Sequence, residues 1–300
     1  MDKKIIRQLQ TACDITYNIP GLREMPKPYR KNTPINALKF AYDFKVFTGG
    51  PKERDAGIIG LVDLNKNWFK KYDIVIAFRG TVGILDWLND FKGILVSSPY
   101  SKGKIHKGFL DSLRNLEEEM YEELMTLVKK HPLAKIYITG HSKGGALATL
   151  MGQFIISKNK KLKRKISVVT FGSPRVGNKE FSSDYDINHY RYESFWDIVP
   201  HLPFSEQECL LCEKLSVDHM LKDFMKLTPY VHVGKSRIFK KKRKDLVEEN
   251  RLDKDMLKNK DISKEELISF QSILKEIRLR TIPQMIDVHV YDYDDIPHDI

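Results

Sequence analysis

Apolar positions along this chain alternate between short continuous runs and stripes at helical spacing. Residues 73–78, Asp-Ile-Val-Ile-Ala-Phe, form a β-branched run closed by Arg79-Gly80-Thr81 and predict a buried strand. Residues 107–131 then place Phe109, Leu113, Leu116, Met120, Leu124 and Leu127 on one face of a helix, which Pro132 ends. The same reading predicts strands at 135–139, 166–171 and 188–193, the last with Tyr190 and Tyr192 on one side, and a helix at 144–157. Ahead of these, residues 5–17 predict a first helix ended by Pro20-Gly21, and the basic, proline-rich stretch 26–34 a surface loop. Residues 230–239 read as a later strand and 240–280 as charged and helical. Strands alternating with helices predict an α/β fold with a mainly parallel sheet. No internal repeat is visible.

Composition narrows this picture. Three hundred residues suit one large domain, and 41% hydrophobic residues are ample for its core. Residues 1–18 carry charges throughout and no long apolar core, so no signal peptide is expected. No apolar run approaches the length of a membrane span. Three cysteines, Cys13, Cys209 and Cys212, are too few and too odd for a disulfide framework and fit a reducing compartment. The expectation is an intracellular, cytoplasmic chain. Its net charge of +11 favours anionic partners. Basic runs at 158–165 and 240–244 lack interleaved aromatics, so peripheral attraction to an anionic membrane ranks above nucleic-acid binding.

Between the predicted strand 135–139 and helix 144–157 stands Gly140-His141-Ser142-Lys143-Gly144. This is the G-x-S-x-G pattern, in which a sharp strand-to-helix turn exposes a serine hydroxyl and glycines admit the strained backbone. Other segments occur in a telling order: Phe78-Arg-Gly-Thr81, Asp86-Trp-Leu-Asn-Asp90, His106-Lys-Gly-Phe109, Phe171-Gly-Ser-Pro-Arg-Val-Gly-Asn178 and Asp197-Ile-Val-Pro-His-Leu-Pro203. Together they resemble the class 3 lipase family, the fungal triacylglycerol lipase and feruloyl esterase group of the α/β-hydrolases. The resemblance runs over roughly residues 40–233 and rests on these segments occurring together in this order.

It implies an α/β-hydrolase fold, read as one domain over residues 1–300, with a lid helix at 84–91; the charge pattern adds a charged helical insertion within it at 240–284. It implies Ser142 as nucleophile and Asp197 as the triad acid, in the Ser, Asp, His order of such enzymes. It also implies an oxyanion hole from the backbone N–H of Lys143 and from Thr81. The expected activity is hydrolysis of carboxylic esters of acylglycerols through an acyl-enzyme, with lipid as substrate and no metal or organic cofactor. A phospholipase, a soluble-ester hydrolase or a non-catalytic lipid- or partner-binding relative are the alternatives. The family commonly carries leucine where this chain has Lys143. Its ammonium would reach a carboxylate, with Asp86 and Asp90 as candidates, or extend to water.

The triad histidine is the open position. His201, His219 and His232 fall in segments that read as structural, as does His106, and His141 reads as support for the elbow. His289 lies in an alternating run, 286–293, that reads as a strand. His298 lies on the loop-like end, in a stretch resembling DIP-x-H of fungal members, and is favoured over His289 because a loop can bring a base to the sheet edge. Cys209 and Cys212 have zinc-like spacing without a second pair, and a metal is not expected.

Overall fold

The computed structural model describes residues 1–19, 40–51, 54–64, 72–81, 94–215, 230–240 and 262–277, together with His289 and Tyr293. The proline-rich stretch, the lid segment with Asp86 and Asp90, residues 241–244, His219 and His298 lie outside the described residues.

Seven strands form one sheet: β1 (Phe40–Gly49), β2 (Asp55–Val62), β3 (Asp73–Phe78), β6 (Ile136–His141), β7 (Ile166–Phe171), β8 (Asn188–Ser194) and β9 (Lys235–Phe239), side by side in that order. A separate hairpin pairs β4 (Leu95–Ser97) with β5 (Lys104–His106). β1, β2 and β3 pair antiparallel, and every pairing from β3 to β9 is parallel. The mainly parallel sheet expected from the alternating pattern is therefore present, with an antiparallel hairpin added at one edge.

Period-two alternation splits each central strand between two cores. Ile74, Ile76 and Phe78 face one core with α2 (Lys107–Arg114), α3 (Glu117–Lys130) and α4 (Lys143–Lys158). Val75 and Ala77 face the other, closed by α1 (Lys3–Tyr17) through Leu9, Ala12, Cys13 and Ile15. A helix buried against the sheet needs small side chains where backbones meet, and α4 opens with Gly144, Gly145 and Ala146, all buried.

Two expected elements take a different form. The helix expected over 107–131 is two helices, broken at Asn115–Leu116, because the Asn115 side chain turns aside to donate to Asp55 Oδ2 at 2.8 Å. The strand expected over 230–239 begins only at Lys235; Val231 makes an isolated bridge to Gly177, and Gly234 turns the chain at φ +78°. Within the charged C-terminal region, the helix Lys264–Ile277 buries Leu267, Phe270, Ile273 and Leu274. It is tied to the sheet by an ion pair at 2.6 Å between Glu266 and Arg191 of β8.

Candidate active site

β6 ends at His141 and α4 begins at Lys143, so Ser142 makes the whole turn. Its backbone sits at φ 58°, ψ −131°, the only non-glycine positive φ among the described residues. Such a conformation costs about 1–3 kcal/mol and persists only where the surroundings enforce it. Here Ser142 N–H donates to the Phe171 carbonyl at the end of β7 (3.0 Å), and Gly145 N–H donates to the Ser142 carbonyl (2.9 Å). The flanking glycines are steric necessities: a Cβ on Gly140 would lie 2.1 Å from the Gly144 carbonyl, and one on Gly144 2.2 Å from the Phe78 carbonyl oxygen. Ser142 is buried, and its Oγ has no hydrogen-bond partner among the described residues.

Asp197 follows β8 in a tight turn, fully buried. Its Oδ1 accepts from Val199 N–H at 2.9 Å; its Oδ2 accepts from the Tyr293 hydroxyl at 2.8 Å and from His289 Nδ1 at 2.7 Å. Burial and the Asp197 charge push the Tyr293 phenol well above its ordinary range, so it stays protonated and donates. A carboxylate only accepts, so His289 carries its proton on Nδ1 and presents Nε2 as an acceptor. That Nε2 is buried and, like Ser142 Oγ, has no partner among the described residues. Gly172, next to the carbonyl that holds Ser142, packs against Asp197 Oδ2 and His289 Cε1, within 2.9 and 3.0 Å of where its Cβ would stand. Serine, imidazole and carboxylate thus converge on one end of β7.

The histidine assembled with Asp197 is His289, where the sequence favoured His298. The alternating run at 286–293 reads as a strand, but residue 289 itself is helical. A second set of contacts holds the His289 ring. The His141 imidazole stacks on it at 4.6 Å, and His141 Nε2 donates to the His289 carbonyl oxygen at 3.0 Å. His141 Nδ1 is then left to accept from the Tyr17 hydroxyl at 3.0 Å, a phenol that burial keeps protonated. His141 is therefore the supporting residue expected of it.

Thr81 emerges from β3, which lies beside β6 with Phe78 paired to Gly140. Gly80 lets the two strand ends meet, since a Cβ there would strike the Tyr17 hydroxyl and the His141 carbonyl at 2.0 and 2.6 Å. The Thr81 Oγ1 is buried without a partner among the described residues. Lys143 is the first residue of α4, where backbone N–H groups have no intrahelical acceptor. Its Nζ bonds Asp55 Oδ1 at 2.7 Å. The lysine does reach a carboxylate, but it is Asp55 at the start of β2; Asp86 and Asp90 lie outside the described residues.

His106, His201 and His232 have structural partners. His106 caps α2 (Nδ1 to Phe109 N–H, 3.3 Å), His201 joins Glu208 at 2.6 Å, and His232 Nε2 donates to the Pro200 carbonyl at 2.7 Å. Glu193, His232 and Glu266 bring potential metal-ligand atoms within 4.8 Å of one another. Arg191 already supplies the cation there, bonding Glu193 Oε1 at 2.8 Å and Glu266 Oε1 at 2.6 Å, and burial with Arg191 holds His232 neutral. Cys209 and Cys212 lie on the helix Glu206–Lys214, with Cys212 buried. The site residues that sequence reasoning missed are Tyr17, Tyr293, Asp55 and Asn115. Only Tyr293 carried a signal, since it shares the alternating run with His289.

The family described as Lipase (class 3) matches residues 75–207, a span that holds the end of β3, Thr81, the elbow and Asp197. A lipase of Rhizomucor miehei is 37% identical over 135 residues, covering 43% of this chain and 37% of the relative. Phospholipase A1-II 1 of Oryza sativa subsp. indica is 32% identical over 195 residues, covering 56% and 50%. The chain spans half or less of the length of these curated relatives. A solved triacylglycerol lipase, whose catalytic centre is described as a serine protease triad, superposes with a TM-score of 0.56 at 26% identity, over 78% of this chain and 77% of that one. On this α/β-hydrolase scaffold, with the elbow in place, the chain resembles the class 3 lipase family over residues 75–207.

Proposed function

We propose that this chain hydrolyses carboxylic esters of lipids, with acylglycerols as substrate class, through Ser142, His289 and Asp197. Ser142 Oγ attacks the ester carbonyl while His289 Nε2 takes its proton, and Asp197 steadies the imidazolium through Nδ1–H. The negative charge that develops on the carbonyl oxygen meets the backbone N–H of Lys143 and the N–H and hydroxyl of Thr81. His289 returns the proton to the departing alcohol, leaving an acyl ester on Ser142. Water, deprotonated by the same imidazole, then attacks the acyl carbon, and the carboxylic acid leaves.

One observation carries the proposal. Ser142 Oγ and His289 Nε2 are both buried without partners beside a fully paired Asp197, on an elbow whose strained backbone has no evident structural use. Peripheral contact with an anionic lipid surface is consistent with the net charge of +11. The basic run at 160–165 is not what would present the serine: it follows the far end of α4, about 24 Å along a 16-residue helix from Ser142.

The test is a substrate panel of triacylglycerol, phospholipid, galactolipid and soluble short-chain esters on the purified chain. Acylglycerol hydrolysis is the expected result. Turnover of phospholipid alone would move the substrate class. No turnover of any carboxylic ester by folded protein would refute the activity.

A further inference from the structure

Lysine is an unfavourable residue for the first turn of a helix, where its charge opposes the dipole. This one is not at the surface: the Lys143 and Asp55 side chains are only 18% and 6% exposed, so their pairing is shielded from the screening that makes most ion pairs unimportant. Asp55 opens β2, which runs antiparallel to β3, with Gly57 opposite Phe78 and the Arg79 N–H donating to the Ala56 carbonyl at 2.9 Å. The start of β2 therefore stands beside the stretch from which Thr81 emerges. The pair accordingly runs from residue 143, which bears one oxyanion donor, across to the hairpin that supports the other.

The carboxylate is itself anchored. Its Oδ2 accepts from Asn115 Nδ2 at 2.8 Å, at the break between α2 and α3. Asn115 fits there because the hairpin carries Gly49 and Gly50: a Cβ on Gly49 would lie 2.5 Å from the Asn115 carbonyl oxygen, and one on Gly50 2.6 Å from Asp55 Oδ2. Three segments distant in sequence thus converge on one carboxylate, whose free oxygen holds Lys143.

We infer that the Asp55–Lys143 pair is a cross-brace that fixes the separation of the two oxyanion donors, which makes Asp55 and the Lys143 side chain positioning residues for acyl transfer. The inference rests on the ester-hydrolase proposal above. Donors aimed at a transition-state oxygen lose most of their value when displaced by a fraction of an ångström, while substrate binding is little affected.

The experiment measures kcat and KM on a soluble short-chain ester, with melting temperature alongside, for wild type, Asp55→Asn, Lys143→Arg and the double variant Asp55→Asn/Lys143→Met. Asp55→Asn should lose about ten- to a hundredfold in kcat, with KM within about threefold. Lys143→Arg, which keeps a cation to pair with Asp55, should lose less kcat than Asp55→Asn. The double variant leaves no orphaned charge, yet should show the same kcat loss, because the brace is still gone. It also carries the test if Asp55→Asn does not fold. Wild-type kcat in Asp55→Asn, or its recovery in the double variant, would overturn the brace and leave the activity standing. A wild-type protein that neither turns over esters nor reacts with a fluorophosphonate would overturn the activity and the brace together.

Discussion

Asp197→Asn is the substitution from which the geometry predicts most. The carboxylate accepts three hydrogen bonds, from Val199 N–H, Tyr293 O–H and His289 Nδ1–H. Asparagine has one acceptor oxygen and one donor amide. If its oxygen stays with Val199, the amide faces Tyr293 and His289, and the imidazole must turn its Nδ1 lone pair toward it. The proton then sits on Nε2, where the ring can no longer take one from Ser142. If the oxygen instead faces His289, the amide opposes the Val199 N–H and one buried donor is orphaned, at about 1–3 kcal/mol of stability. The first arrangement satisfies more groups, so the wrong tautomer should dominate. The expected loss is about 10⁴-fold in kcat, equivalent to about 5.5 kcal/mol of transition-state stabilisation. KM should hold within about threefold, since Asp197 is fully buried behind His289 and touches no substrate. The assay is steady-state hydrolysis of a soluble short-chain ester, with near-ultraviolet circular dichroism to verify the fold. An Asn variant within tenfold of wild-type kcat would refute the assignment of Asp197 as the orienting carboxylate.

Two further outcomes concern the scaffold. His189 is buried between Thr170 and Tyr185, and burial with the nearby Arg191 lowers its pKa from 6.5 to about 3. The unfolded chain takes up this proton near the ordinary value and the folded chain does not, so stability is full above that value and falls as pH drops from 6.5 toward 3. At about pH 4.5 the loss from this residue is about 2–3 kcal/mol. Urea unfolding near neutrality and near pH 4.5 should therefore show a smaller acid loss for His189→Gln than for wild type; equal losses would contradict a depressed His189 pKa. Gly140→Ala would drive a methyl into the Gly144 carbonyl at 2.1 Å and should cost more than about 3 kcal/mol. A variant that melts within a few degrees of wild type would show that the elbow has slack.

The sheet and its helices were legible where local chemistry and tertiary demand coincide. β3 and β7 fall on the residues their β-branched runs predict, and α4 lies within one residue of its expected ends. The break at Asn115 was not legible, because the apolar stripe through Leu113, Leu116 and Met120 continues as if one helix carried it. A contact with Asp55, sixty residues away, decides it. The β1–β2 hairpin was missed because all eight residues of β2 are buried, leaving no alternation to read. Ser142 and Asp197 could be placed because each sits in a segment resembling a known family. His289 could not, because an alternating run gives no sign of which histidine the fold will bring to Asp197. The partner of Lys143 was hidden for the same reason: both members of the pair are ordinary charges until the chain folds.

The central claim is that Ser142 is activated by His289. The most direct test is the second-order rate constant for fluorophosphonate modification, with the adduct mapped by mass spectrometry, in wild type, His289→Ala and His298→Ala. The adduct should map to Ser142. Its rate should fall by at least about 10³-fold in His289→Ala and stay within about twofold in His298→Ala. A His289→Ala protein that reacts at the wild-type rate while His298→Ala is inert would contradict the assignment and move the triad histidine to the end of the chain.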